Sequence, residues 1–436
     1  MKKHNLYNMD LNIYEETLDN GLKIYIVPKD NVNGFYVTLS TKYGSIHDEF
    51  IPIDKEDMIK VPMGVAHFLE HKVFEQKDGV DPFTFYSERG CDANANTSNY
   101  KTTYLFSGTN NLNDGLNYLL DYVQSPYFTD ENVEKEKGII EQEIKMYDDS
   151  PYYKLYDGVV YNAFIDHPIK YPIAGTVESI NKITKEDLYT CYNTFYHPSN
   201  MFLVITGNVD PKEIIDLVKL NQSKKKYNNI KEIVLKKYDE PDNVAIQFKK
   251  EFFDVQIPKV SVGYKISLGD INLNINDFKN YLSILFNIKF GSTSEFSEKL
   301  KEEKLITGDM DISFVNTDKH VLVTLINESD NVLEVINRIE EEIKSLDISE
   351  EDFNRKVKIR KSSSVFKSDS IYALNNKIMS NIINYNEVIY NEYEKIKELD
   401  FDKLCEIISN LDFSNKTVYI IDKLENKIWQ IRNIYI

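Results

Sequence analysis

Cysteine is scarce in this 436-residue sequence: Cys91, Cys191 and Cys405 are the only three. They lie far apart, none belongs to a CxxC pair, and an odd number cannot complete a disulfide framework, so a reducing compartment is the expectation. Basic charge is also in deficit. Lys and Arg number 52 against 70 Asp and Glu, a formal net charge of -18, which argues against a nucleic-acid-binding surface and leaves a weak attraction for basic peptides. Long apolar runs are missing too. No window reaches the roughly 18 uninterrupted apolar residues of a membrane helix, and the lysines at positions 2 and 3 precede no apolar segment of a secretory leader. On that ground the chain reads as soluble and cytoplasmic.

What is present is the composition of a folding chain, with 42% hydrophobic and 28% charged residues, too apolar for general disorder. This length makes two domains the default, each with a core of its own. The 30 tyrosines and 23 phenylalanines are spread throughout, as packing residues are, and do not form a base-stacking platform.

Residues 21–28 and 34–41 are apolar or alternating and bounded by turn residues, a pattern that predicts two strands paired with each other. Val61-Pro62-Met63-Gly64 opens a helix along which Val65, Phe68, Leu69 and Val73 recur at helical spacing. Further strands are expected at 102–107 and 201–207, and helices at 112–124 and 129–147, the second with Thr129 as its N-cap. The polar stretch 222–242 lacks periodicity and is expected to be a linker.

Beyond it the pattern returns. The run Tyr127-Phe128-Thr129-Asp130-Glu131 has a counterpart at Asp347-Ile348-Ser349-Glu350-Glu351, 220 residues later. Each is preceded by a strand (102–107; 321–325) and an amphipathic helix (112–124; 331–345). Internal duplication follows. The expected fold is α+β, two related α/β-sandwich halves of mostly antiparallel sheet packed with helices: a catalytic domain over 1–221, the linker, and a degenerate second domain over 243–436. The chemistry is not repeated. Glu143 falls opposite Ser363 and Glu136 opposite Lys356, so only the first half is expected to hold a metal.

The metal expectation comes from His67-Phe68-Leu69-Glu70-His71. Histidines at i and i+4 on a helix lie one above the other and can aim two imidazoles at one ion. Glu70, beside them, is placed to work on a water molecule. Hydrolytic zinc sites use three protein ligands and leave a position open, so a third ligand must come from elsewhere, usually a carboxylate. The helix 129–147 offers Glu131, Glu134, Glu136, Glu141 and Glu143, and spacing alone does not choose among them. Glu136 and Glu143 are two turns apart and share a face, which suits one as ligand and the other as its support.

The surroundings of the HxxEH string resemble the insulinase/pitrilysin family, the inverzincins. Gly64-Val65-Ala66-His67-Phe68-Leu69-Glu70-His71-Lys72-Val73-Phe74 is similar to that family's zinc helix. Gly90-Cys91-Asp92-Ala93-Asn94-Ala95-Asn96-Thr97-Ser98 resembles its substrate-side strand, and Glu134 to Ile144 its acidic helix. The resemblance is strong over about residues 15–210 and weak after that. It implies one zinc per chain ligated by His67, His71 and Glu143. It further implies Glu70 as general base, Glu136 as supporting carboxylate, and Asn94 and Ala95 presenting backbone to a peptide substrate added as an extra strand.

One departure qualifies it. The family carries an arginine and, seven residues later, a tyrosine that hold substrate, whereas here Lys301 and Gly308 occupy those places. Lysine lacks the planar fork of arginine, and glycine supplies no phenol. A second, related subunit is therefore expected to supply the pair in a heterodimer; otherwise the chain pairs with itself as a homodimer. The competing expectation is a non-catalytic scaffold or peptide-binding subunit, since some relatives have lost the metal. His167 and His197, each before a proline, are expected to be structural, and His4, His47 and His320 have no partner at ligand spacing.

Overall fold

Runs rich in β-branched and aromatic residues make the central strands, which are the most deeply buried. In the computed structural model, which describes residues 1–6, 10–227 and 231–424, the strands form three sheets. The first contains β1 (Lys2–Leu6), β2 (Leu11–Thr17), β3 (Lys23–Pro28), β4 (Phe35–Thr41), β7 (Asp92–Thr97), β8 (Thr102–Gly108) and β9 (Met201–Gly207), in the order β1-β2-β3-β9-β4-β8-β7. A small sheet joins β5 (Glu49–Ile51), β6 (Ile59–Lys60) and β10 (Val234–Leu235). The third holds β11 (Phe248–Phe253), β12 (Lys259–Ser267), β13 (Asp311–Asn316), β14 (His320–Glu328) and β15 (Lys416–Lys423), in the order β11-β15-β12-β14-β13.

The strands expected at 21–28 and 34–41 form as β3 and β4 but do not pair with each other. β9 lies between them, parallel to β3 and antiparallel to β4. Every residue of β9 and of β4 is buried. A strand with no solvent-tolerant face takes a central place, and β9 displaces the local hairpin pairing to obtain it.

The duplication is explicit in the sheets. β3-β9-β4-β8-β7 and β11-β15-β12-β14-β13 agree strand for strand, the first pair parallel and the other three antiparallel. The helices agree as well. After α1 (Val65–Val73) and α2 (Pro82–Ser87), the helices α3 (Leu112–Val123), α4 (Asp130–Asp148) and α5 (Pro151–Ala163) start 220 residues before the helices Val332–Lys344, Glu350–Asp369 and Ile371–Tyr385.

The compact units do not follow the halves of the chain. One comprises Met1–Ile144, Pro172–Lys237 and Ile359–Glu398; the other comprises Lys145–Tyr171, Tyr238–Lys358 and Leu399–Ile436, so a division at 221 and 243 misses the exchange of equivalent helices. α5 packs on β12 and β15, and the helix Ile371–Tyr385 packs on β9 and β4. In the first unit, Leu374, Ile378, Met379 and Ile382 seal the sheet face formed by Tyr25, Val27, Phe202 and Val204. Asn375 is inserted among them, donating to the carbonyls of Tyr36 and Val204 and accepting from Thr38. In the second unit, Gly158 lets α5 close on the sheet, because a Cβ there would meet the Tyr419 ring at 2.5 Å.

The stretch 222–242 is not a bare linker, although residues 228–230 lie outside the described residues. It begins as the end of the helix Pro211–Ser223, contributes β10, and then enters the second unit. There the buried Glu240 carboxylate accepts the amides of Ile165, Asp166 and His167 at 2.7–2.8 Å and the ammonium of Lys265 at 2.5 Å. Burial opposes ionisation of Glu240, but Lys265 and the three amides outweigh it and hold the carboxyl below its usual range. His320, for which the sequence offered no partner, meets Asp242 at 2.7 Å. His167 and His197 turn their rings back onto the amides of Ile169 and Ser199, the structural role expected of them. Among the described residues no helix is long and apolar enough to cross a membrane.

Lys265 and Glu240 are both essentially inaccessible to solvent. Removing the cation strands a buried carboxylate, so Lys265→Met is expected to destabilise the chain by ~3–5 kcal/mol, read from the denaturant midpoint. Wild-type stability in that variant would show that the pair does not hold the segment.

Candidate metal centre

α1 has one face left for chemistry because the rest of it is core. Val65, Ala66, Phe68, Leu69 and Val73 belong to the main hydrophobic cluster of the first unit, leaving His67, Glu70 and His71 on the remaining side. Gly64, at φ +90°, starts the helix, and a Cβ there would lie 2.4 Å from the Ala174 carbonyl. A side chain at 64 is therefore excluded twice, by conformation and by space.

α4 presents the acids. Thr129 caps it as expected: its hydroxyl accepts the Asn132 amide at 3.1 Å, and its own amide donates to the Asn132 side chain at 2.9 Å. This reciprocal cap fixes where the helix begins and hence which residues face α1. Buried Val133, Ile140 and Ile144 anchor the helix, and Glu136 and Glu143 face the histidines.

His67 Nε2 lies 3.5 Å from Glu143 Oε1, and His71 Nε2 lies 3.4 Å from Glu143 Oε2. One ligand atom from each of these three residues falls within 4.8 Å of the others. Bonds of about 2.0–2.1 Å around a tetrahedral zinc put ligand atoms roughly 3.3 Å apart, so two imidazoles and a carboxylate at these separations fit that ion. His71 also places Nδ1 3.1 Å from Glu136 Oε1. The ring thus has one nitrogen for a metal and the other held by a carboxylate, the arrangement that fixes tautomer and orientation. Among the described residues His67 has no such support, its Nδ1 being buried without a hydrogen-bond partner.

The local charge is strongly coupled. Burial disfavours a charged His71, but hydrogen bonds to Glu136 and Glu143 and the charges of Glu136 and Glu70 raise its pKa to about 9. Burial pushes the Glu136 carboxyl up, and His71 and Lys72 outweigh it, holding the group below its usual value. Lys72, fully buried, bridges Glu75 and Glu136, the latter at 3.5 Å.

Asn94 and Ala95 lie on β7, which among the described residues ends the sheet and pairs with β8 alone. The Ala95 amide is taken at 2.8 Å by the Asn94 side chain. On the other face of β7, Thr97 donates to Glu70 Oε2 at 2.6 Å. Lys101, just past the β7 end, bonds Thr103 at 2.9 Å, and burial draws its pKa down to about 8 against the opposing charge of Glu70. Thr97, Lys101 and Lys72 were not singled out in the sequence. For Lys72 a signal existed, a charge directly after the motif on a helix otherwise buried; for Thr97 it was the period-2 alternation Ala93, Ala95, Thr97. Lys301, at the end of the helix Glu295–Glu302, is engaged with Asp309, and Gly308 has open space where a side chain would stand. Cys91 and Cys191 are buried and Cys405 is exposed, all three as free thiols.

Zinc added to metal-stripped protein is expected to raise the melting temperature, because an ion that binds only the folded chain adds ~4 kcal/mol at a thousand times its Kd. His67→Asn and His71→Asn are expected to lose that shift. An equal shift in all three proteins would place the ion elsewhere.

The chain is similar to known proteins in sequence and in fold. Residues 59–177 match the Insulinase (Peptidase family M16) description, and residues 182–359 match the Peptidase M16 inactive domain. The uncharacterized zinc protease YmfH of Bacillus subtilis is 48% identical over 304 residues, covering 69% of this chain and 71% of that one. The crystal structure of an M16-like peptidase from Alicyclobacillus acidocaldarius superposes with a TM-score of 0.89 at 30% identity, covering 95% of this chain and 99% of that one. The periplasmic protease PqqL of Escherichia coli shares the fold at a TM-score of 0.71 and 18% identity, with 96% of this chain matching 48% of that one. By sequence and by fold, this chain belongs to the insulinase family, peptidase family M16.

Proposed function

We propose that the chain is a zinc-dependent endopeptidase acting on extended peptides, with His67, His71 and Glu143 as zinc ligands and Glu70 as general base. The observation that carries this reading is the meeting of the three ligand atoms within 4.8 Å, with Glu70 on the same helix and outside the set. A zinc ion held there would supply Lewis acidity toward the scissile carbonyl and toward water. Glu70 takes the proton of the attacking water and passes it to the leaving amine, so that a peptide and water give two shorter peptides. Glu136 holds His71 through Nδ1. The open edge of β7 at Asn94 and Ala95 takes the peptide as an added strand beside Glu70. A scaffold reading is disfavoured by the intact donor set, which a chain without metal has no need to keep.

Glu70→Gln is expected to retain about one zinc and lose activity by ~10²–10⁴. Glu143→Gln is expected to weaken metal binding, and Glu136→Gln to slow turnover with the metal largely kept. Metal analysis alongside cleavage of a mixed peptide pool checks these assignments. Zinc loss in Glu70→Gln would remove that residue from the role of base.

We also propose that a related subunit completes the substrate clamp. Lys301 and Gly308 stand where arginine and tyrosine are expected, and Lys301 is turned to Asp309. The PqqL chain, of which this chain matches 48%, has room for a second copy of the fold. Size-exclusion chromatography with and without a related partner, read against peptide turnover, tests the pairing. Full activity in a monomeric preparation of the chain alone would end this part of the proposal.

A further inference from the structure

Among the described residues, the Glu70 carboxylate has one hydrogen bond, and Thr97 donates it. Thr97 Oγ1 lies 2.6 Å from Glu70 Oε2, at the short end of the hydroxyl hydrogen-bond range. Its other polar neighbour is Thr102 Oγ1 at 3.3 Å. The Thr102 proton is committed to the Tyr43 carbonyl at 2.9 Å, so the Thr97 proton goes to Glu70. The donor is also firmly placed. Threonine is stiff at χ1, and the turn after β7 is closed by Ser98, whose amide and hydroxyl both donate to the Lys101 carbonyl, at 2.8 and 3.1 Å. Inward-facing Ala93 and Ala95 precede it on the same side of the strand, and neither can offer a hydrogen bond from its side chain. Glu70 itself is buried and carries three rotatable bonds, so without this contact little would fix the direction of its carboxylate.

We propose that Thr97 is a positioning residue for Glu70 whose hydroxyl, and not its bulk, sets the direction in which the carboxylate is presented. The inference rests on the reading of Glu70 as base, and it gives β7 a second task. The strand whose open edge takes the peptide also holds the base, so the ladder that registers the substrate and the group that attacks through water share one rigid element.

The test compares Thr97→Val, which keeps the shape and removes the hydroxyl, with Thr97→Ser, which keeps the hydroxyl, on a pool of internally quenched fluorogenic decapeptides. Thr97→Val is expected to lower kcat more than tenfold, though by less than the ~10²–10⁴ attached to removing a general base, with KM, zinc content and melting temperature unchanged. Thr97→Ser is expected to restore kcat to within a few-fold. Wild-type kcat in Thr97→Val, or equal impairment in both variants, would overturn the proposal. A crystal structure of zinc-loaded Thr97→Val gives a readout independent of turnover: the Glu70 carboxylate is expected to leave its present position, and an unmoved carboxylate overturns the proposal whatever the rates. Glu70→Gln, assayed in parallel, separates the two readings. If it is active, Glu70 is not the base; if it is inactive while Thr97→Val behaves as wild type, only the positioning role falls.

Discussion

The site depends on the phase between two helices. α1 is committed to the core on all sides but one, so His67, Glu70 and His71 have a single direction available, and whatever completes the site must come to them. α4 is different in kind. Its sequence is polar and few of its residues are buried, so packing alone would fix its rotation weakly. Two local devices fix it instead: the Thr129–Asn132 cap at its start and the contact from Glu136 to His71 and Lys72 at its middle. With those in place, Glu143 falls two turns beyond Glu136 on the same face and reaches both histidines. The buried ammonium of Lys72 offsets part of the negative charge that three neighbouring carboxylates accumulate, which an uncompensated interior would not tolerate.

Duplication explains why the fold is larger than the site requires. Each half supplies five strands of the same order and sense, and each gives up the last of its three matching helices to cover the other sheet. The exchange makes neither half self-sufficient: the first unit needs Leu374, Ile378 and Met379, and the second needs α5 with its glycine against Tyr419. That mutual requirement binds the second half to the fold without binding it to the chemistry. The helix Glu350–Asp369 could therefore place Lys356 and Ser363 where α4 has Glu136 and Glu143, at no cost to the architecture.

Much of this was legible in the sequence, and the division between what was and was not legible is physical. The face of α1 that carries His67, Glu70 and His71 followed from helical periodicity, the start of α4 from a cap, and the duplication from a repeated element order, all of them local signals. The expected pairing of β3 with β4 failed because strand order is a contest among distant segments, and the apolar content of β9 decided it. The stretch 222–242 was taken for a linker because it is polar, whereas Glu240 is buried by partners from residues 165–167 and 265 that no local window contains. Thr97 escaped notice for the same reason. The alternation of Ala93, Ala95 and Thr97 marks which way its side chain faces, but its partner emerges only when the fold brings it 2.6 Å from Glu70.

β7 shows how a useful edge can be kept without becoming a liability. A strand with an open side exposes unpaired backbone groups and invites association with other chains. Here the outward side chains are Asp92, Asn94 and Asn96, the inward ones Ala93, Ala95 and Thr97; the two alanines are packed against the core, so the strand turns only a polar face to solvent. Asn94 also covers the Ala95 amide with its own side chain, a bond that an incoming backbone can displace at little cost because one hydrogen bond replaces another. Neighbouring β8 is largely buried and anchors the hairpin. Rigidity therefore comes from β8 and the closed turn at Ser98, while the other edge of β7 stays unpaired among the described residues, beside the carboxylate to which Thr97 donates.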